Sequence, residues 1–278
     1  MKTRRPAVAG RFYPATAPEI KKQLSEILNK ERQFIDISLS QKEIIGAVVP
    51  HAGYMFSGYQ AIHFFEILKN TNQQFDTFFI INPNHTGYGS EISLDENDSW
   101  ETPFGRVDID YDYYDLLDFA ESASAHKFEH AGEVILPLLQ NHLDYPFRIV
   151  PITMSRQTTD NARFIAQNIF KANALLKKKI CLIASSDFSH FVHPGEGREL
   201  DRFVINEILK MNPAGVYKEV KDRDISVCGF GPIMTLMEYA KLVSENPQAR
   251  ILKIGHSGEV MPSSEVVDYV SILIYNEA

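Results

Sequence analysis

The chain of 278 residues contains only two cysteines, Cys181 and Cys228, so it has no disulfide framework. Cys181 also lies inside an apolar run that predicts a core strand, which favours a reducing compartment. No apolar run approaches the roughly 20 residues that span a bilayer, and no apolar segment follows the basic start as in a secretory signal. We therefore expect a soluble, cytoplasmic protein with no membrane partner.

Common nucleotide-binding motifs are missing as well. No Gly-x-Gly-x-x-Gly follows a predicted strand, and no Gly-Lys-Ser/Thr phosphate loop is present. The 36 acidic residues outnumber the 28 basic ones and give a net charge of −8, so we expect no nucleic-acid partner. Internal repeats, low-complexity tracts and linkers are absent too. Residues 1–278 are therefore expected to form a single domain.

Short apolar runs alternate with helical patterns along nearly the whole chain. Ile44–Val49 is one such run, and others begin near Thr77 and Lys179. This alternation predicts one three-layer α/β/α domain, with helices on both faces of a mostly parallel central sheet. The pattern also predicts helices over Tyr111–Ser124 and Gly132–His142.

A histidine follows three of the predicted strands. His51 comes directly after Pro50, His85 ends the second run, and His190 follows the third, three residues after Asp187. Open α/β sheets bind ligands at the carboxyl ends of their strands, so these histidines predict a common site if the strands are neighbours. We expect His51 to be accessible, so that its loss would spare the fold.

Two imidazoles and one anionic ligand are typical of a mononuclear catalytic metal site. A carboxylate as the third ligand suits non-haem Fe(II), whereas a thiolate shifts the preference toward zinc or copper without excluding iron. Cys228 precedes Gly229 and a predicted helix, where backbone N–H groups favour a thiolate. The alternative for Cys228 is a buried, inert thiol, and no local ligand spacing decides between the two.

The chain resembles the MEMO family in a set of short motifs that occur in the same order. They are Pro-His-Ala-Gly-Tyr at 50–54, Asn-Pro-Asn-His at 82–85, Glu-His at 129–130, Ser-Ser-Asp-Phe-Ser-His at 185–190 and Cys-Gly at 228–229. Each motif alone is weak, but the set is specific and covers essentially the whole chain. That family is similar in fold to the LigB-type, class III extradiol dioxygenases, so the resemblance implies a LigB-like domain.

The resemblance also implies roles for single residues. The family's metal ligands match His51, His85 and Cys228. They imply one divalent ion, with iron as the first choice and copper or zinc as alternatives. His190 matches the catalytic histidine of the related dioxygenases and has Asp187 beside it, where the carboxylate could orient the imidazole. Contacts to substrate are expected from His130, Tyr54 and His256.

Three functions remain open at this point. The first is a metal-dependent redox enzyme that uses iron and oxygen, with His190 as general acid or base because imidazole titrates near neutral pH. The second is a module that binds a peptide or protein without chemistry, since the family has been linked in eukaryotes to phosphotyrosine-peptide binding and cell motility. The third is a zinc-type hydrolase. Dioxygenase activity does not simply follow from the fold, because those enzymes use a carboxylate where this chain has Cys228.

Overall fold

The computed structural model describes residues 2–277. Its α-helices are α1 (Ala17–Glu31), α2 (Tyr54–Asn70), α3 (Ala123–Lys127), α4 (Ile135–His142), α5 (Thr159–Leu176), α6 (Pro194–Leu209), α7 (Pro213–Asp222) and α8 (Phe230–Val243). Its strands are β1 (Thr3–Arg4), β2 (Glu43–Val49), β3 (Thr77–Pro83), β4 (Ile92–Leu94), β5 (Ser99–Thr102), β6 (Gly105–Asp108), β7 (Ala120–Glu121), β8 (Arg148–Met154), β9 (Ile180–Ser185), β10 (His190–Val192), β11 (Pro247–His256) and β12 (Val266–Asn276). Across this range no helix has the length and apolar character that crossing a membrane requires.

The main sheet of the described range has the strand order β10-β12-β2-β9-β3-β8-β4-β7, with β11 also paired to β12. The central strands β2, β9, β3 and β8 run parallel to one another. β12 pairs antiparallel with β2, β10 and β11, and β4 pairs antiparallel with β8. The expected α/β sheet is therefore confirmed, with a parallel centre and antiparallel pairs toward both sides.

Helices cover both faces of this sheet, which explains why its central strands are apolar on both sides. One layer consists of α1, α2 and α4, and the other contains α5, α6, α7 and α8. Every residue of β3 is buried, as is every residue of β2 after Glu43. The predicted three-layer arrangement follows from this continuous burial, because a strand with one solvated face would alternate apolar and polar residues.

The helix predicted over Tyr111–Ser124 is wrong. Tyr111–Leu116 forms a short 3-10 turn, and β7 and the start of α3 follow it. The hydroxyl of Tyr113 donates a hydrogen bond to Asn173 Oδ1 at 2.7 Å, and Tyr113 itself is fully buried. Tertiary packing of this aromatic side chain therefore overrides the local helical pattern. The long edge strand β11 was not predicted, because most of its residues are only partly buried and its alternation is weak.

One buried carboxylate, Glu133, holds the N-terminal segment in place. Its oxygens accept hydrogen bonds from Arg4 Nη1 at 2.7 Å, from the Ala7 and Val8 amides at 2.8 and 3.0 Å, and from the Tyr13 hydroxyl at 2.7 Å. Arg4 is 3% exposed and Glu133 is 0% exposed, so each buried charge needs the other as its ion-pair partner. The segment that they fix continues to the carboxyl edge of the parallel strands.

The Glu133→Ala variant is expected to lower the free energy of unfolding by about 3–5 kcal/mol, because it leaves the Arg4 charge buried without its partner. Chemical denaturation measures the loss. The control is Glu101→Ala, which removes a partner of the exposed Arg5 side chain and should cost below about 1 kcal/mol. Equal losses in the two variants would contradict the role given to Glu133.

Candidate metal centre

The carboxyl ends of neighbouring parallel strands bring the predicted histidines together. β9 lies between β2 and β3, so the loops after these strands leave the same edge of the sheet. His51 follows β2, His85 follows β3, and the ring centroids of the two histidines are 5.4 Å apart. The strand-end positions therefore place the two side chains at one site, as the sequence predicts.

Cys228 joins these histidines from the loop between α7 and α8. One ligand atom from each of His51, His85 and Cys228 lies within 4.8 Å of the other two. Cys228 Sγ is 3.3 Å from His51 Nε2. Gly229 allows this approach, because a Cβ at that position would lie 2.3 Å from the carbonyl oxygen of Ser185. The Cys-Gly pair thus fixes the thiol over the end of β9.

Hydrogen bonds set the protonation of the His51 ring. The hydroxyl of Ser185 donates to the carbonyl oxygen of Ala131 at 2.7 Å, so its oxygen accepts from His51 Nδ1 at 2.8 Å. Nε2 then carries the lone pair and faces Cys228. His51 is 1% exposed, and burial together with the nearby rings of His130 and His85 holds its pKa well below the usual value. His51 is therefore a neutral imidazole, the form that binds metals.

His85 is oriented by the buried carboxylate of Glu129. His85 Nδ1 lies 3.0 Å from Glu129 Oε1, and the backbone amide of His85 donates to Oε2 at 2.6 Å. Burial lowers the pKa of His85, but the hydrogen bond and charge of Glu129 outweigh it and raise the pKa above its usual value. A carboxylate that accepts from one ring nitrogen leaves the other free, as in carboxylate–histidine–metal arrangements.

The sulfur of Cys228 receives a backbone hydrogen bond. The amide of Asp187 donates to Sγ at 3.2 Å, and the amide of Cys228 donates to the carbonyl oxygen of Asp187 at 3.3 Å. Burial of the thiol and the neighbouring Asp187 carboxylate nevertheless raise the pKa of Cys228 well above its usual value. Without a bound cation the group is therefore a thiol, and a divalent ion would bind with release of its proton.

These residues fit a divalent transition-metal ion. The two imidazoles are held by hydrogen bonds through one ring nitrogen each, and the thiol lies against the lone pair of His51. Two nitrogens and one sulfur suit zinc, iron or copper better than magnesium or calcium, which prefer oxygen. A second group, His85, Glu129 and His130, is also close enough to share an ion. There the carboxylate already accepts hydrogen bonds from His85 and from the amide of Ala131.

Asp187 has a different task from the one that the sequence suggested. Its Oδ1 accepts from the backbone amide of His51 at 2.8 Å and from that of Ala52 at 3.4 Å. His190 instead lies against Ser226, with Nδ1 2.9 Å from the carbonyl oxygen and its backbone amide 2.8 Å from the hydroxyl. Ser226 therefore orients the His190 ring, and Asp187 joins two loops. Burial raises the pKa of Asp187 to about 6.

His130 lies at the site, whereas Tyr54 does not face it. The ring of His130 stacks on His85 with centroids 4.8 Å apart and contacts Phe12 at 4.8 Å. Burial lowers the pKa of His130 to about 4, so this ring is neutral. Tyr54 is 1% exposed and its hydroxyl donates to the carbonyl oxygen of Val134 at 2.7 Å. The polar group of Tyr54 is thus already bonded in the core, and its expected contact with substrate stays a prediction.

His256 is not in the group formed by His51, His85 and Cys228. It ends β11 and lines a separate cavity beside α6, together with Asp268. Its expected contact with substrate stays a prediction. Within residues 2–277, β11 pairs with β12 and packs against α2 and α6.

Sequence reasoning missed the residues that hold the candidate ligands in place. Ser185 accepts from His51, Ser226 orients His190, and Glu129 accepts from His85. Glu129 was visible only as the neighbour of His130. Nothing in the spacing of Ser185 or Ser226 could reveal their hydrogen bonds, because both depend on how the loops meet. The buried position of His51 also corrects the expectation that this residue is accessible.

Residues 4–273 match the family model described as Memo-like protein. The chain belongs to the Memo-like family. It is 36% identical over 280 residues to a MEMO1 family protein of Methanosarcina mazei, covering 99% of this chain and 100% of that protein. A MEMO1 family protein of Methanobrevibacter smithii is 37% identical over 96% of this chain and 98% of its own length.

A solved structure supports the fold of this Memo-like chain. The crystal structure of an uncharacterized protein from Escherichia coli K12 matches with a TM-score of 0.54 and 12% sequence identity. The match covers 77% of this chain and 91% of that chain. At so low an identity the similarity concerns the arrangement of helices and strands alone.

We expect the His85→Ala variant to lose most of its bound metal while it remains folded. The His85 side chain is 35% exposed, so its removal leaves a smaller cavity than removal of His51. Elemental analysis of untagged protein measures the metal, and thermal melting measures the fold. The control is His193→Ala, at an exposed histidine that caps α6. Full metal content in His85→Ala would show that His85 is not a ligand.

Metal affinity should rise with pH. Because the pKa of the Cys228 thiol is raised, the metal-free thiol keeps its proton at neutral pH. It releases this proton when the ion binds. The apparent dissociation constant should therefore fall about tenfold per pH unit across neutral pH. A competition titration with a chromogenic chelator measures the slope. Cys228→Asp should give a shallower slope, because a carboxyl group ionises at lower pH. A pH-independent constant in the natural protein would contradict thiolate binding.

Proposed function

We propose that this Memo-like chain is a metal-dependent redox enzyme whose ion is held by His51, His85 and Cys228, with iron as the first candidate. The observation that supports the proposal is the donor set itself, in which each imidazole has one nitrogen bonded to the protein. Residues that merely packed would not need three donors within 4.8 Å of one another. When bound, such an ion supplies Lewis acidity and, as iron, one-electron chemistry with oxygen.

His190 is the residue that moves a proton in this proposal. Its Nδ1–H is fixed by the carbonyl oxygen of Ser226, which leaves Nε2 as the nitrogen that accepts a proton. His190 is only partly buried, and it lies near enough to His51 for protonation of its ring to lower the pKa of His51. An imidazole with one nitrogen anchored is suited to general base catalysis.

Substrate reaches the donors from the side of His85 and His130. The side chains of these two histidines are 35% and 24% exposed, whereas that of His51 is 2% exposed. Phe191, next to His190, adopts a φ of 56° and is 73% exposed. That backbone conformation is unusual for a bulky residue and favours a functional role for the segment. An aromatic surface beside His190 suits an apolar part of the substrate.

The thiol ligand favours a second candidate, a zinc-type hydrolase. Thiolate and imidazole are the common ligands of zinc, and a zinc centre polarises water or a carbonyl group. The two candidates differ in a simple measurement. A redox enzyme loaded with Fe(II) consumes oxygen in the presence of ascorbate, whereas a zinc hydrolase cleaves activated esters such as p-nitrophenyl acetate without oxygen.

The His190→Asn variant should retain its metal and lose turnover by roughly 10² to 10⁴, the usual contribution of a positioned proton-transfer group. Oxygen uptake by the Fe(II)-loaded protein with ascorbate measures the rate, and elemental analysis measures the metal. His193→Asn, three residues further along, serves as the matched control and should leave both unchanged. Unchanged oxygen uptake with a lower melting temperature would make His190 a structural residue, and loss of metal would make it a ligand.

A further inference from the structure

Two buried acidic residues hold the segment that carries His190. Asp201 lies on α6 and Asp268 lies on β12, and they are 3% and 4% exposed. Both contact Ser189, which is fully buried and directly precedes His190 in the chain. The position of His190 therefore depends on how these two acids hold its neighbour.

Every polar group of Ser189 is bonded to one of the two acids. Asp201 Oδ1 accepts hydrogen bonds from the Ser189 backbone amide at 3.2 Å and from its hydroxyl at 2.6 Å. The backbone amide of Asp268 donates to the carbonyl oxygen of Ser189 at 2.8 Å, and the amide of Phe188 donates to the carbonyl oxygen of Asp268 at 2.9 Å. The chain that leads to His190 is thus fixed to α6 on one side and to β12 on the other.

The carboxyl groups of Asp201 and Asp268 also form a hydrogen bond with each other. Gly197 on α6 allows this contact, because a Cβ at that position would clash with the Asp268 carboxylate. Two carboxyl groups form such a bond only while one of them keeps its proton, since ionised carboxylates only accept. Burial raises the pKa of both groups, and that of Asp201 to about 8. The proton that joins α6 to β12 is therefore present at neutral pH and is lost in mildly alkaline solution.

Charged and titratable groups from several elements face this pair. They come from α6, from the end of β11 with the turn after it, and from β12: Arg198, Arg202, His256, Glu259 and Tyr269. The two arginines are exposed, so water and salt screen their charges. Glu259 acts against them and raises the pKa of Asp268. Burial remains the largest influence on both carboxyl groups, so the pair keeps its proton at neutral pH.

We propose that Asp201 and Asp268 are positioning residues for His190, and that loss of their shared proton in alkaline solution displaces the His190 segment. With both groups ionised, two negative charges lie side by side in buried surroundings, and their repulsion separates α6 from β12. Ser189 is bonded to both acids and then loses its fixed position. The inference rests on the proposed role of His190 in proton transfer and gives that role an upper pH limit.

The Asp201→Asn variant separates the charge of the pair from its shape. Its carbonyl oxygen still accepts from Ser189 and its NH₂ group donates to Asp268, so the contact no longer needs a proton. Asp268→Asn preserves the same contact from the other side, with the amide donating to Asp201. The matched control is Glu199→Gln, which removes one exposed carboxylate from α6 and should leave the pH dependence unchanged.

Amide NMR spectra of the full, ¹⁵N-labelled chain test the positioning itself. They follow the signals of Ser189 and His190 between about pH 7 and 9. In the natural protein and in Glu199→Gln, both signals should change with a midpoint near about pH 8. In Asp201→Asn and Asp268→Asn they should stay constant across this range. A change that all four proteins share, or signals that stay constant in the natural protein, would overturn the proposal.

Oxygen uptake by the Fe(II)-loaded protein with ascorbate tests the consequence for His190. Asp201→Asn and the natural protein should be equally fast at about pH 7, and the variant should be roughly tenfold faster at about pH 9, where only the natural protein has lost its positioned base. Comparison at one pH cancels the effects of pH on ascorbate and iron. Equal rates at both pH values would overturn the positioning of His190. Absence of oxygen uptake from both proteins, with the NMR difference intact, would contradict the redox function alone and would support the link between the acid pair and the His190 segment.

Discussion

Asp187 is the residue on which the geometry of the candidate metal centre depends. Its carboxylate accepts the backbone amides of His51 and Ala52, which ties the loop after β9 to the loop after β2. Its backbone amide donates to the sulfur of Cys228, and its carbonyl oxygen accepts the amide of the same residue. One residue thus joins three loops that lie far apart in the chain. Because all these contacts are buried, they hold His51 and Cys228 in fixed positions.

Burial and hydrogen bonding shift the pKa values of the histidines near Asp187 in opposite directions. Burial keeps His51 and His130 neutral, which suits metal binding, whereas Glu129 raises the pKa of His85. Elsewhere the same chain buries Glu133 with a full set of donors, so that carboxylate stabilises the fold. Asp201 and Asp268 are buried side by side, and burial raises the pKa of both carboxyl groups, so this pair shares a proton instead of carrying two charges.

The central strands were predictable because both their faces are buried, which leaves continuous apolar runs in the sequence. β2, β3 and β9 stand out in this way, and each run ends just before a polar residue of the site. The weakly patterned elements were not predictable. β11 lies at the sheet edge with partly exposed residues, and the turn at Tyr111–Leu116 is set by side chains that reach distant partners. Local pattern cannot record a contact made by another part of the chain.

The sequence by itself determined that histidines follow strands, and its motifs indicated which residues could bind a metal. Only the tertiary structure decided that Ser185 and Glu129 set the free nitrogens of His51 and His85, and that Ser226 rather than Asp187 orients His190. The physical reason is that the end of a buried strand is marked in the sequence by the end of a continuous apolar run. The direction of a hydrogen bond depends on how separate loops meet in space, which no spacing along the chain describes.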